Sequence, residues 1–187
     1  MILTLCALLL QDVEPIPAKP EPCGALIDLR RLEVDLLAGA MVYSGDFESD
    51  PQALGLVYLR APLPWLSRYV LGFECDVLGA FAQAGAGSID RDLEPLPDQP
   101  DGTVGLAAVG MEASLVPEDA WRLRIQGGLD YVHFGDVDGV DSGAGLLLGI
   151  NAGAALSDRV WISLLPQAHF GGEDAIFTLS AGLSIRF

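Results

Sequence analysis

Pairs of like charge separated by a single residue recur along this 187-residue chain. In an extended strand, residues two apart point to the same side, so each pair forms a short row of carboxylates or guanidinium groups. Rows of opposite charge on different strands can pair, and inside a narrow barrel they can satisfy one another. Strand alternation places these pairs and four single charged residues on the polar faces, and we predict that all ten form a lumen ion-pair network: Glu33, Asp35, Arg60, Glu74, Asp76, Glu112, Arg122, Arg124, Asp130 and Arg186. Because its six acids exceed its four arginines, we expect protonated carboxylates, bound cations or water within it.

The two histidines are the candidate general bases of the sequence. By strand alternation His169 faces the lumen, whereas His133 faces outward near the rim. A nucleophilic mechanism needs a hydroxyl within hydrogen-bond reach of the base. Ser142 is separated from His133 by a loop, and nothing in the sequence marks Thr178 or Ser180 as an activated neighbour of His169. The sequence therefore predicts no catalytic residue and no cofactor.

One acidic segment has a spacing suited to calcium, with carboxylates at Asp136, Asp138 and Asp141 and a glycine for the turn at Gly139. The complete calcium-loop motif is absent. We therefore expect solvated acidic loops, with loose bridging by divalent cations to anionic surface lipids as a secondary role.

The three cysteines, Cys6, Cys23 and Cys75, do not form a disulfide framework or a C-x-x-C pair. No His and Cys cluster has the spacing of a zinc site. We expect unpaired cysteines and no structural metal.

The composition excludes several classes of protein. Hydrophobic residues make up 51% of the chain, which excludes global disorder despite a net charge of −16. After the N-terminus no apolar run is long enough for a membrane-spanning helix. The acidic balance argues against nucleic acid as a partner. A soluble β-rich protein or a membrane barrel remains.

Hydrophobic alternation with a period of two predicts eight strands. Most are longer than typical globular strands and match the length that a tilted strand needs to cross a bilayer. The predicted strands are Leu32–Ser44, Ala53–Pro62, Arg68–Gln83, Thr103–Leu115, Trp121–Phe134, Gly143–Leu156, Arg159–Phe170 and Ala175–Phe187. The fold class that follows is an all-β, eight-stranded antiparallel up-and-down transmembrane β-barrel.

The connections between these strands are predicted to alternate strictly in length. Those at Leu63–Ser67, Val116–Ala120 and Ser157–Asp158 are short, and the others are longer and acidic. Such alternation is typical of a membrane barrel that has short turns at one end and longer, exposed loops at the other. Aromatic residues predict a girdle at each end: Trp65, Trp121 and Trp161 at the short connections, and Tyr43, Phe81, Tyr131, Phe134 and Phe170 near the long loops.

The N-terminus predicts export. Residues 1–10 form a short apolar run typical of a signal peptide, although a basic start and a clean cleavage site are missing. Residues 11–31 follow as a proline-rich linker, which either is free or folds against the barrel rim. The barrel itself is predicted to span residues 32–187.

The chain from Leu32 to Phe187 resembles the small eight-stranded outer-membrane β-barrels of Gram-negative-type bacteria. The most specific element is the last strand, Ala175–Phe187, in which apolar residues alternate up to a terminal phenylalanine. The resemblance implies a porin-like barrel in the outer membrane, surrounded by its lipids and inserted by the barrel assembly machinery, which reads such a strand. It leaves the activity open.

The favoured hypothesis is a monomeric barrel with a charge-plugged lumen and a structural or surface-interaction role, without catalysis. Three alternatives remain open at this point. One is a membrane-embedded lipid-modifying enzyme, a deacylase or acyltransferase that would depend on His133 or His169. The others are a narrow channel, and a soluble secreted β-barrel whose apolar faces point inward and bind an apolar ligand.

Overall fold

A computed structural model describes residues 23–44, 51–89, 102–116, 120–135, 142–171 and 174–187. The predicted signal peptide at 1–10, the linker up to residue 22 and the aspartates of 136–141 lie outside the described residues. Among the residues described, no helix is both long and apolar enough to cross a membrane.

Eight strands form one closed antiparallel sheet in which each strand pairs with its neighbours in sequence and the first pairs with the last. This architecture confirms the predicted fold class. The strands are β1 (Glu33–Ser44), β2 (Gln52–Pro62), β3 (Leu78–Ile89), β4 (Gly102–Ser114), β5 (Trp121–Gly135), β6 (Gly143–Ala155), β7 (Val160–Gly171) and β8 (Asp174–Arg186).

The outward faces of the strands are apolar, and the buried polar side chains of the strands point inward. In β8, Thr178 and Ser180 are buried, whereas Phe177 is 48% and Leu179 is 53% exposed. The same inversion recurs in β6, where Asn151 is fully buried and its apolar neighbours face outward. The alternative of a soluble barrel with an apolar core is therefore wrong for these strands.

Seven predicted strands agree with the observed ones to within one residue at each end, and the third does not. We predicted Arg68–Gln83, but β3 begins ten positions later, at Leu78. A short helix, Leu66–Val70, and Gly72 at φ 72° turn the chain before β3 begins. Apolar residues at every second position from 69 to 77 imitate a strand, which explains the error.

The end of the barrel where the chain enters β1 and leaves β8 is termed the terminal end. There the segment 23–31 contacts the β2–β3 connection, residues 63–77, and we term these two segments together the cap. A disulfide joins Cys23 to Cys75 with a Cα–Cα distance of 5.7 Å. Both terminal nitrogens of Arg31 donate to the carboxylate of Asp76. The expectation that the cysteines are unpaired is wrong for this pair, because the misplaced third strand concealed the return of Cys75 to the N-terminal segment.

The strict alternation of short and long connections is also wrong. Residues 63–77 make a long connection at the terminal end, where short ones were expected, and at the opposite end only residues 172 and 173 separate β7 from β8.

The prediction of an aromatic girdle at each end is partly wrong. Trp65 and Trp121 are 43% and 70% exposed as expected, but Trp161 is buried inside the barrel at 2%. Phe81, predicted for the opposite end, lies in the terminal half and stacks on Tyr58 within the lumen. Tyr43 and Phe134 also pack inward, which leaves Tyr131 and Phe170 as the exposed aromatic residues of that predicted girdle.

Candidate functional site: the lumen ion-pair network

Glu33 is the centre of an ion-pair network inside the terminal half of the barrel. Its side chain has no exposure to solvent. It accepts hydrogen bonds from Arg122, from both terminal nitrogens of Arg124 at 2.8 and 3.1 Å, and from Arg186 at 3.3 Å. One carboxylate thus accepts four charge-assisted hydrogen bonds, the strong kind, from three arginines.

Arg124 links Glu33 to a second carboxylate, Glu112. The Arg124 Nη1 atom lies 3.4 Å from Glu112 Oε1. Glu112 also accepts hydrogen bonds from the Nε atom of Arg60 and from the Tyr58 hydroxyl. Since all of these groups are buried, each one depends on the others to replace the water that it has lost.

Arg122 extends the network to a third carboxylate. It donates to Asp35 at 3.3 Å and to the hydroxyls of Ser184, at 3.0 Å, and Ser163. Asn151 donates to the same oxygen of Asp35 at 3.4 Å. Strands β1, β2, β4, β5, β6, β7 and β8 therefore each contribute a polar side chain to one connected cluster.

Three predicted members lie elsewhere. Glu74 is exposed in the β2–β3 connection, and Asp76 pairs with Arg31 on the cap, where the two side chains are 48% and 39% exposed. Both errors follow from the misplaced third strand. Asp130 faces the lumen as expected, but it contacts His169 at 2.7 Å in the opposite half of the barrel.

The charge balance of the network differs from the expectation. We expected six acids against four arginines, whereas the connected cluster has three carboxylates, Glu33, Asp35 and Glu112, against the same four arginines. The argument for bound cations or protonated carboxylates within the network therefore no longer holds. Within the described ranges, no group of three or more His, Cys, Asp or Glu side chains could hold a metal ion.

Trp161 covers the network at the terminal end. The guanidinium carbon of Arg122 lies 5.5 Å from the centre of the Trp161 ring, and that of Arg186 lies 5.8 Å away. Cations placed over an indole face gain a favourable electrostatic contact, most of all where water is excluded. The residue predicted to lie at the membrane interface therefore packs on the cations of the lumen.

Glycines on neighbouring strands make room for the large polar side chains. On β6, Gly145, Gly149 and Gly153 lie directly across from Asp130, Gln126 and Arg122 of β5. A Cβ atom at Gly153 would lie 2.7 Å from the Nε atom of Arg122. Strand β3 contributes in the same way, since a Cβ atom at Gly79 would lie 2.8 Å from the Nε atom of Arg60.

The rest of the lumen is filled as well. Gln83 and Gln167 exchange two hydrogen bonds, of 2.7 and 3.3 Å, across the barrel. Beside them lies an apolar cluster that includes Leu37, Leu147 and Leu165. A second cluster fills the opposite half: Met41, Leu54, Val104, Leu106, Val132 and Ile176. An eight-stranded barrel is narrow enough to be filled by its own side chains.

Outside the barrel, near the opposite end, the structure brings together a pair that the sequence separates. The His133 Nδ1 atom lies 3.1 Å from the Ser142 hydroxyl, and both residues are exposed. The Phe134 backbone N–H donates to the same hydroxyl at 3.0 Å. The expectation that no serine lies beside His133 is wrong, because the β5–β6 hairpin folds Ser142 back onto β5.

Sequence reasoning missed Tyr58 and Trp161 as lumen residues. Ser163, Asn151 and Ser184 were on the predicted polar faces, although they were not assigned to the network. Tyr58 could have been found by counting back two positions from Arg60, since both residues point to the same side of β2.

Comparison with known proteins supports the fold. No protein-family model matches the chain, and no curated protein matches it either. Among solved structures, Neisserial surface protein A is similar at a TM-score of 0.65 and 11% identity, over 83% of this chain and 97% of that one.

Two further solved barrels are similar. Ail, the attachment invasion locus protein of Yersinia pestis, solved with the heparin analogue sucrose octasulfate, has a TM-score of 0.55 and 13% identity, over 84% of this chain and 97% of that one. The outer membrane protein OprG from Pseudomonas aeruginosa has a TM-score of 0.55 and 9% identity, over 86% and 99%. These likenesses confirm the expected resemblance to outer-membrane β-barrels at the level of the fold.

The first prediction concerns Glu33. In Glu33→Gln, three guanidinium groups lose the carboxylate that they share, and we expect the free energy of unfolding to fall by about 3–5 kcal/mol. The matched control is Asp76→Asn, which breaks a half-exposed pair and should cost about 0–1 kcal/mol. Urea unfolding in lipid vesicles, followed by tryptophan fluorescence, measures both. Equal losses would contradict the central place of Glu33.

The second prediction concerns the space beside Arg122. Gly153→Val would place side-chain atoms against Arg122 Nε and against the Ile162 carbonyl oxygen, which is 2.8 Å from the Cβ position. We expect a loss of about 1–3 kcal/mol. The control is Gly143→Val on the same strand, where a Cβ atom meets nothing within 4 Å. A similar loss in both variants would indicate a general effect of valine in β6.

Proposed function

We propose that this protein is a monomeric integral barrel of the bacterial outer membrane, with a lumen plugged by its ion-pair network and a structural or surface-interaction role without catalysis. The observation that carries the proposal is the inversion of polarity across the wall. Leu36 is 60% and Leu148 is 57% exposed on the outside, while Glu33 and Arg124 are fully buried on the inside. Apolar outside and polar inside is the pattern of a barrel in lipid, whose closed sheet also leaves no backbone group unpaired.

The direction of insertion follows from the ends of the chain. An even number of strands places the start of β1 and the end of β8 at the same end of the barrel, the terminal end, which we assign to the periplasm. On this proposal the barrel assembly machinery acts on β8, the strand whose outward face is most regularly apolar. The solved outer-membrane barrels of similar fold support this location.

The opposite end then faces the cell exterior and is strongly acidic. The sequence segments 45–50, 90–101 and 136–141 connect strands at that end and carry eleven acidic residues and one arginine. Their charge would repel anionic surface lipids unless divalent cations lie between them. We propose such cations as loose partners, without a defined site. Ail is solved with a polysulfated heparin analogue, but the acidic loops here favour neither polyanions nor nucleic acid as ligands.

The filled lumen supports a surface role over a channel. Ion pairs in one half and an apolar cluster in the other would both have to rearrange before ions could pass. We therefore propose that the wall and the loops, rather than the lumen, meet the partners of this protein.

The third prediction tests the membrane barrel. In membrane fractions run on a detergent gel, the unheated protein should migrate apart from the boiled protein, because a closed sheet resists detergent until heat opens it. The same preparation in planar bilayers should give no steady current. Recovery in the aqueous fraction without a mobility shift would overturn the proposal, and a steady current would overturn the plugged lumen alone.

A second candidate function rests on one contact, the 3.1 Å separation of His133 Nδ1 and Ser142 Oγ. Such a pair could remove acyl chains from outer-leaflet lipids. The Ser142 oxygen would attack an ester carbonyl while its proton passes to His133. The alcohol would then leave with that proton, and water would release the fatty acid. The Phe134 backbone N–H donates a hydrogen bond to the same oxygen. This contact favours the simpler interpretation, in which Ser142 stabilises the β5–β6 hairpin.

The fourth prediction decides between these functions. Lipids are extracted from cells carrying the unaltered protein, Ser142→Ala or His133→Ala, with Ser157→Ala at the terminal end as a control. We expect the same acyl composition in all four. Acyl loss that disappears in Ser142→Ala and His133→Ala but persists in Ser157→Ala would establish the hydrolase and overturn the non-catalytic role.

A further inference from the structure

The cap carries a dense set of exposed apolar side chains. Residues on both of its segments are between 43% and 70% exposed: Leu26, Leu29, Trp65, Tyr69, Leu71 and Phe73. Scattered exposed apolar residues need no explanation, but so many within two short segments indicate an interaction surface.

This surface is held in place by several independent links. The Cys23–Cys75 disulfide and the Arg31–Asp76 ion pair join the two segments. The Trp65 N–H donates to the Ala25 carbonyl at 3.0 Å, and the Asp28 N–H donates to the Pro62 carbonyl at 3.0 Å. Because the backbone is fixed, the exposed side chains cannot turn inward to escape water without breaking these links.

The position of the cap makes its surface continuous with the outer wall. Trp65 follows β2 by three residues, and at the same end of the barrel Trp121 at the start of β5 is 70% exposed and Phe187 after β8 is 59% exposed. Trp65, which immediately precedes the short helix, and Tyr69 within it are four residues apart and share one side, next to Arg68. Tryptophan, tyrosine and arginine are the residues enriched where a bilayer meets water.

The charge of the cap suits the same environment. Its three arginines, at 30, 31 and 68, balance its three acids, at 28, 74 and 76, within a chain of net charge −16. The acidic loops at the opposite end would be repelled by phosphate groups, but a neutral cap is not.

We propose that the cap is an interfacial anchor that lies in the phospholipid headgroup region of the periplasmic leaflet and buries its apolar side chains there. The occupant of this surface is the bilayer in which the barrel stands, and the proposal rests on the membrane insertion proposed above. The disulfide keeps the segment 23–31 against the β2–β3 connection and so at the level of the headgroups.

The fifth prediction places tryptophan at chosen depths. In a Trp65→Phe and Trp121→Phe background, with buried Trp161 retained throughout, the reporters are Leu29→Trp on the cap, Leu148→Trp on the wall and Asp158→Trp in the exposed turn after β6. Each is inserted into vesicles of phosphatidylethanolamine and phosphatidylglycerol and checked for the heat-dependent gel shift. Quenching is compared for acrylamide in water and for lipids spin-labelled at the headgroup or deep in the acyl chain.

We expect Leu29→Trp to be quenched several-fold more by the headgroup label than by the deep label, and to be shielded from acrylamide relative to Asp158→Trp. Adding Cys23→Ser and Cys75→Ser should raise its exposure to acrylamide and leave Leu148→Trp unchanged. Acrylamide quenching equal to that of Asp158→Trp would overturn the anchor. Shielding from both acrylamide and lipid labels would also overturn it, in favour of a protein on this surface. If Leu148→Trp also escapes the deep label, the membrane insertion itself has failed.

Discussion

The structure depends on the burial of one carboxylate, Glu33, among three guanidinium groups. A charge removed from water is costly unless it is paired and fully hydrogen-bonded, so each arginine that approaches Glu33 needs acceptors of its own. Glu112 supplies one for Arg124, and Asp35 and the hydroxyls of Ser163 and Ser184 supply them for Arg122. The cluster therefore ties opposite strands together through the lumen, in addition to the hydrogen bonds that run around the wall.

Glycine and tryptophan positions follow from the same constraint. A guanidinium group on β5 can reach the centre of a narrow barrel only if the strand beside it has no side chain in the way, as at Gly153. The cations of Arg122 and Arg186 also need a surface at the terminal end that excludes water without adding charge, and the Trp161 ring provides it. A small residue, Gly153, and an apolar one, Trp161, are thus both required by the polar interior of the barrel.

Much of the fold and of the network could be predicted from the sequence, because a strand with one polar and one apolar face has a sequence that alternates with a period of two. Alternation located seven strands, and the polar faces that it defined identified seven residues of the network. The third strand was wrong because residues 69 to 77 alternate without pairing as a strand. That one error displaced Glu74 and Asp76 and hid the disulfide at Cys75. Trp161 could not be placed either, since tryptophan beside arginine fits both a membrane interface and a cation–π contact, and only the register decides between them.

Because the lumen is filled, the surfaces of the barrel that can contact other molecules are its outer wall and its two ends. The two ends differ in charge. The described arginines lie on the cap or in the terminal half, whereas the sequence segments 45–50, 90–101 and 136–141, which connect strands at the opposite end, carry eleven acidic residues and one arginine. In a bilayer whose two leaflets differ, one leaflet would contact the neutral, aromatic cap at the terminal end, and the other would lie next to the acidic connections of the opposite end. This asymmetry opposes inversion of the barrel, because turning it over would bring the acidic loops through the apolar interior and expose the cap to water. The buried network differs from both rims, since its carboxylates and guanidinium groups pair with one another inside the lumen.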